Sequence, residues 1–188
     1  MQSSYREAMP ALRWNIEHLT ERLAQARFGT GGVLSVMSRA WLAWCLAELG
    51  EFEAVSGCAE QAIQTAEEAD DPWGLGHVLF SYGCALALRG HLHDAIRILK
   101  RGLALSRDRD FPLLLTIIGG TLGYARVLSG DVQEGLALME PAGRTVLSAW
   151  AAAATRATIW LGEAYLSAGR IDDAATAAKR AHDLAEEK

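Results

Sequence analysis

Apolar residues along this chain recur at spacings of three and four, and glycine or proline interrupts the stripes at regular intervals. The first stripe, Leu12, Ile16, Leu19, Leu23 and Ala26, predicts a helix over 10–27, with Pro10 in its first turn and residues 1–9 as a polar lead. Phe28 and a glycine-rich stretch through Gly32 end it. From residue 33 the pattern becomes regular, predicting helices over 33–49, 52–69, 72–90, 92–108, 112–130, 132–147, 150–168 and 171–187, the seventh of these nine broken near Pro141 and Gly143. Pro72 and Pro112 stand in the first turns of two helices, and Asp70 and Asp110, two residues earlier, are expected as start signals.

Every second helix ends in a ten-residue block closed by glycine: WLAWCLAELG (41–50), SYGCALALRG (81–90), TLGYARVLSG (121–130) and WLGEAYLSAG (160–169). Gly50, Gly90, Gly130 and Gly169 lie 40, 40 and 39 residues apart. A fixed period of this size is the mark of stacked helical hairpins. The third place of each block is small (Ala43, Gly83, Gly123, Gly162), as are places five residues past the closing glycine (Val55, Ala95, Gly135, Ala174) and seven beyond that (Ala62, Gly102, Ala142, Ala181). Glycine inside a helix costs ~1 kcal/mol relative to alanine, so its recurrence requires close helix approach as compensation. The expected architecture is an all-α, right-handed solenoid of antiparallel hairpins in one domain over 1–188. It has an orphan helix and turn at 10–32, then units at 33–71, 72–111, 112–149 and 150–188.

Composition narrows the chemistry. A net charge of −5 disfavours nucleic acid as partner, and the basic stretch 100–109 is interleaved with acids, as a solvated helix face is. Cys45, Cys58 and Cys84 are odd in number and lack C-x-x-C spacing, which points to a reducing, cytoplasmic setting. The polar N-terminus is no secretory signal, and no apolar run reaches membrane-spanning length.

The small–small–glycine–small offsets, as in Gly83, Gly90, Ala95 and Gly102, resemble the tetratricopeptide repeat (TPR), whose usual unit is shorter, about 34 residues. The stretches SRAWLAWCLAELGEF (38–52), ILKRGLALSRDRDFPLL (98–114), LGYARVLSG (122–130) and WLGEAYLSAGRIDDA (160–174) are similar to the C-terminal repeat region of large bacterial adenylate/guanylate cyclase-type regulators. Those proteins place a cyclase domain and a P-loop ATPase domain ahead of the repeats. This chain has no Walker motif and no cyclase-sized region, so the resemblance implies the repeat module alone and transfers no catalytic residue.

Other constellations point to packing or solvated turns. His91-Leu92-His93-Asp94 falls at a hairpin turn, and two histidines one residue apart share no helical face for zinc. His77 and Cys84 are two turns apart, about 10.5 Å of rise, too far for a nucleophile–base pair within one helix. The acidic run Glu67, Glu68, Asp70 and Asp71 suits a helix end and cap, and Gly119, Gly120 and Gly123 have no preceding strand for a dinucleotide site. The chain is therefore expected to be no enzyme and to need no cofactor or metal.

What remains is a surface. The TPR resemblance implies that the first helix of each hairpin lines a concave groove. Its marked positions are Trp44, His77, Phe80, Cys84, Tyr124, Arg156 and Glu163, with Met37 and Ile117 as neighbours more in keeping with the core. The leading expectation is a non-catalytic scaffold or regulatory module binding a protein or peptide segment there, with a cyclase or ATPase domain of a parent protein as one such partner. The alternatives are a small-ligand sensor with polar groups converging around His77, Tyr124 and Arg156, and homodimerisation through the exposed stripe of the first helix.

Overall fold

The structure is a computed structural model that describes residues 2–19, 26, 31–144 and 151–186. Nine helices and no strand occur among them: α1 (Gln2–His18), α2 (Leu34–Glu48), α3 (Phe52–Glu68), α4 (Pro72–Leu88), α5 (Leu92–Asp108), α6 (Pro112–Leu128), α7 (Val132–Arg144), α8 (Ala151–Ser167) and α9 (Ile171–Glu186). The chain divides into two compact units, Met1–Leu114 and Leu115–Lys188.

In the first unit α2 packs against α1, α3 and α4, and α5 pairs with α4. The small positions are where the helices meet. Ala43, Ala59, Ala62 and Ala95 have no exposed surface, and a Cβ on Gly83 would collide with the side chain of Leu99 on α5. The ends of the helices repeat one device. Glu51 and His91 donate their N–H to the carbonyls of Leu46 and Leu86, each at 2.9 Å, across a glycine with positive φ. This i to i−5 bond satisfies a carbonyl that the helix would otherwise orphan, and it needs a left-handed residue at the turn.

Asp70 and Asp110 differ from expectation. They do not start the following helices but close the preceding ones, with φ of 44° and 51°, in the place that glycine takes elsewhere. The N–H groups of Asp71 and Phe111 then make the same bonds back, to the Ala66 carbonyl at 2.8 Å and the Ser106 carbonyl at 2.9 Å. Aspartate is one of the few side chains that tolerates this conformation, so sequence alone left its side of the turn ambiguous.

The first helix also departs from the predicted 10–27 span. α1 begins eight residues earlier and ends at His18, with Pro10 inside it. Polarity at its start does not prevent helix formation, because Met9, Leu12 and Ile16 pack on the cluster formed by Leu42, Ala43, Leu46, Ala47, Val55 and Ala85. Tertiary packing offsets the backbone bond that an internal proline forfeits. The stripe offered for dimerisation is thus covered at Leu12 and Ile16 by the chain's own helices, while Leu23 lies outside the described residues.

In the second unit α8 packs against α7 and α9. Gly123 on α6 and Gly135 on α7 face each other so closely that a Cβ on either would stand 2.6 Å from the other's carbonyl oxygen. Gly162 is looser, since its Cβ would sit 3.5 Å from that of Ala177. Gly130, at φ 98°, ends α6 while Asp131 N–H donates to the Arg126 carbonyl at 2.9 Å. The expected break near Pro141 does not occur: α7 runs through it to Arg144, and residues 145–147 of the predicted helix lie outside the described residues.

Candidate functional site

Trp44, His77, Phe80 and Cys84 all belong to the first unit, on α2 and α4. Trp44 and Phe80 approach at 4.9 Å between ring centroids, Trp41 lies 6.3 Å from Trp44 and 6.0 Å from His77, and Trp73 lies 5.2 Å from His77 and 5.0 Å from Phe111. The result is a run of aromatic rings along the α2–α4 seam. Its marked members are interior, Trp44 at 9 % exposed, Phe80 at 4 %, His77 at 3 % and Cys84 at 2 %, whereas Trp41, Trp73 and Phe111 are half-buried. Burial lowers the His77 pKa to about 4, against an opposing pull from the Asp71 carboxylate, so the ring is neutral at pH 7 and packs between Trp41 and Trp73.

Asp71, which the sequence offered as part of an acidic run at a solvated helix end and cap, is 1 % exposed and accepts a 2.7 Å hydrogen bond from the Val33 N–H. It therefore anchors the backbone just ahead of α2 from a position 38 residues downstream. Gly32 and Gly74 are small because they stand against this carboxylate. The described glycines of the 28–32 stretch, Gly31 and Gly32, thus serve close packing.

Tyr124, Arg156 and Glu163 belong to the second unit and form one connected assembly. Tyr124 stacks on Trp160 with centroids 4.4 Å apart and planes within 2°. The Arg156 guanidinium lies over the Trp160 ring, 5.6 Å from its centroid, in a cation–π arrangement. The Tyr124 hydroxyl donates to Glu163 Oε2 at 2.5 Å. Tyr124 and Trp160 are each 9 % exposed, whereas Arg156 is half-buried and Glu163 exposed, so a rigid aromatic pair holds one cation and one anion at the surface.

Trp160, Trp41 and Trp73 were not among the marked positions. The signal was present: tryptophan opens the first and fourth glycine-closed blocks, three places before the position that was marked. Stacking between successive hairpins uses both places.

Elsewhere the charges pair off. Arg89 meets Glu53 at 2.5 Å, Arg101 meets Glu67, and Arg170 meets both Glu140 and Asp173 at 2.7 Å. A cleft of about 200 Å³ in the first unit is lined by Tyr82, Arg89, His91 and Arg97, and by none of the marked residues; its arginines are paired with Glu53 and Asp94. His91 and His93 are exposed, and among the described residues no group of three or more His, Cys, Asp or Glu is placed to hold a metal ion. No helix among them is long and apolar enough to cross a membrane.

No protein-family model and no curated protein matches this chain. Solved structures do. A kinesin light chain-type protein of Podosopora anserina with nearly identical TPR-like repeats superposes with a TM-score of 0.56 at 17 % identity, covering 100 % of this chain and 97 % of that one. A single-substitution variant of it gives 0.59 at 16 % identity, covering 97 % and 92 %. At such identities the likeness establishes the fold: this is an all-α, TPR-like solenoid of antiparallel helix hairpins.

Proposed function

We propose that the protein is a non-catalytic interaction module that binds a segment of a protein partner on the exposed faces of its A helices, the first helix of each hairpin. The observation that carries this is the Arg156–Trp160–Tyr124–Glu163 assembly. Stacked aromatics fix a cation and an anion at defined positions, which lowers the ordering cost of recognition. TPR-like neighbours support a protein-interaction scaffold in general. The buried ring run of Trp44, His77 and Phe80 enters this reading as the support behind the α2–α4 face and not as a contact surface.

The finer reading, a regulatory module serving an attached cyclase or ATPase in the bacterial cytoplasm, draws only on the resemblance of the repeat stretches and on the odd cysteine count. The test is selection of a displayed random peptide library on the wild-type chain, followed by affinity measurement of the enriched peptides on Arg156→Ala and Glu163→Ala. Affinity should fall at least tenfold; peptides that bind both folded variants as tightly as wild type would refute the assignment.

A further inference from the structure

Two neighbouring B helices of the first unit carry opposite charge at the same places of the repeat. On α3, Glu53, Glu60 and Glu67 are all exposed, and the helix contains no lysine or arginine. Forty residues on, the same places of α5 are His93, Lys100 and Arg107, also exposed, with exposed Arg97 in the same row. Each row falls within about 80° of its helix circumference at 100° per residue. Neither helix stands at an end of the repeat array, since α1 and α2 precede α3 and α6 to α9 follow α5.

The basic residues of α5 are mixed with acids in sequence but not on the surface. At the same 100° per residue, Asp94 and Asp108 fall on one flank with Arg101, and Arg101 meets Glu67, so that flank is the side toward α3. Arg97 pairs with Asp94 at 3.3 Å and keeps 64 % of its side chain exposed. Glu60, Lys100 and Arg107 have no ion-pair partner among the described residues. Glu53 and Glu67 touch Arg89 and Arg101 but remain 89 % and 51 % exposed, open to a second cation.

The two rows together are complementary to themselves. α4 packs against both α3 and α5, and a short turn joins it to each. The chain therefore reverses twice, which leaves α3 and α5 parallel. A two-fold axis parallel to these helices and midway between them lays the acidic row of each copy on the basic row of the other. An axis across the helices would set acid on acid and base on base, which is repulsive. A long anionic polymer fits less well, because the α3 row repels it beside the α5 row that would hold it. We propose that the protein self-associates as an isologous dimer through the outer faces of α3 and α5, with Glu60 and Glu67 of one copy against the Arg97–Arg107 row of the other. This surface is separate from the A-helix face, so the two stand or fall independently.

Two 17-residue helices side by side present a face about 25 Å long and ~20 Å wide. A dimer then buries on the order of 1,000 Å² in total, the class of weak, transient contacts, and exposed ion pairs are individually weak. The experiment is sedimentation equilibrium of the intact chain from about 5 to 500 µM, a range that spans weak association. At about 0.1 M salt the average mass of the wild type should rise from 20.3 kDa toward twice that value. At about 1 M salt, where screening shortens from roughly 10 to 3 Å, it should return to the monomer. One variant combines Lys100→Glu with Arg107→Glu, the other Glu60→Lys with Glu67→Lys. Each alone should stay monomeric, because like rows then meet across the axis. Mixed, they should associate, since the first bears acids on both rows and the second bases on both. Both variants keep a net negative charge, so overall attraction cannot imitate this rescue, and misfolding does not produce it. A wild type that stays at 20.3 kDa at low salt overturns the dimer. So does association that persists at 1 M salt, association of either variant alone, or a mixture of folded variants that stays monomeric.

Discussion

Replacing a glycine at the third place of a block with alanine should change stability in opposite directions at Gly123 and Gly162, although the two occupy the same repeat position. In an open helix the exchange gains ~1 kcal/mol of helix propensity. At Gly123 the new Cβ would stand 2.5 Å from Met139 Cγ, 2.6 Å from the Gly135 carbonyl oxygen and 3.1 Å from Leu138 Cβ. The carbonyl is backbone and cannot rotate away, so α6 and α7 must separate. Overpacking of this kind costs ~1–3 kcal/mol, and outweighs the propensity gain because a backbone shift is required. At Gly162 the nearest atoms, Ala177 Cβ at 3.5 Å and the Ala174 carbonyl at 3.8 Å, are in ordinary contact, and the propensity gain stands alone. For a chain of this size ~1 kcal/mol moves Tm by roughly 2–4 °C. Thermal unfolding followed by helical circular dichroism should therefore place Gly123→Ala several degrees below wild type and Gly162→Ala at or above it. Equal shifts, or a stabilised Gly123→Ala, would show that helix approach does not select glycine here.

Three further outcomes follow from buried groups. His77 is protonated below about 6.5 in the unfolded chain but only below about 4 in the native one, so the unfolded state holds more protons between these values. Stability is whole above about pH 6.5 and falls by about 3 kcal/mol as pH drops toward 4; urea midpoints of His77→Phe should lack that part of the pH slope, and parallel slopes would contradict it. Asp71→Ala leaves the Val33 N–H without its acceptor and a void beside Gly74, and should destabilise by about 1–3 kcal/mol. Amide exchange at residues 33–36 should rise most, whereas uniform exchange would argue against an anchor at the start of α2. Burial raises the thiol pKa of Cys45 and of Cys58, so neither is a ready nucleophile. Both should resist alkylation at mildly alkaline pH until denaturant is added, and rapid native-state labelling of either would refute this.

The register of the helices was legible because it rests on local chemistry. A closing glycine at φ 98° and a proline in a first turn are read from a few residues, and helices α3, α5 and α9 fall within a residue or so of their predicted spans. Pro10 and Pro141 misled for the same reason: their local tendency is to stop a helix, and it is overridden by packing that involves residues far away in sequence. Of the candidate site, the periodicity marked Tyr124, Arg156 and Glu163, which the structure joins through Trp160. It could not say that Trp44, His77 and Phe80 face one another inside the first unit, since an aromatic at a helical period suits a groove and a core equally well.

What the sequence determined by itself was the repeat, the helix count from residue 33 onward, and the places where small side chains are obligatory. Those properties depend on backbone conformation and on side-chain volume at a fixed period, and both are carried by residue type. Tertiary structure alone decided which charges matter. Asp71 looked like one more acid at a solvated helix end and cap until it proved to be buried against the Val33 N–H. Glu163 looked equivalent to Trp44, Cys84 and Tyr124 until it alone among them proved to be exposed. Burial and partner distance are sums over the whole fold, and no single helix contains them.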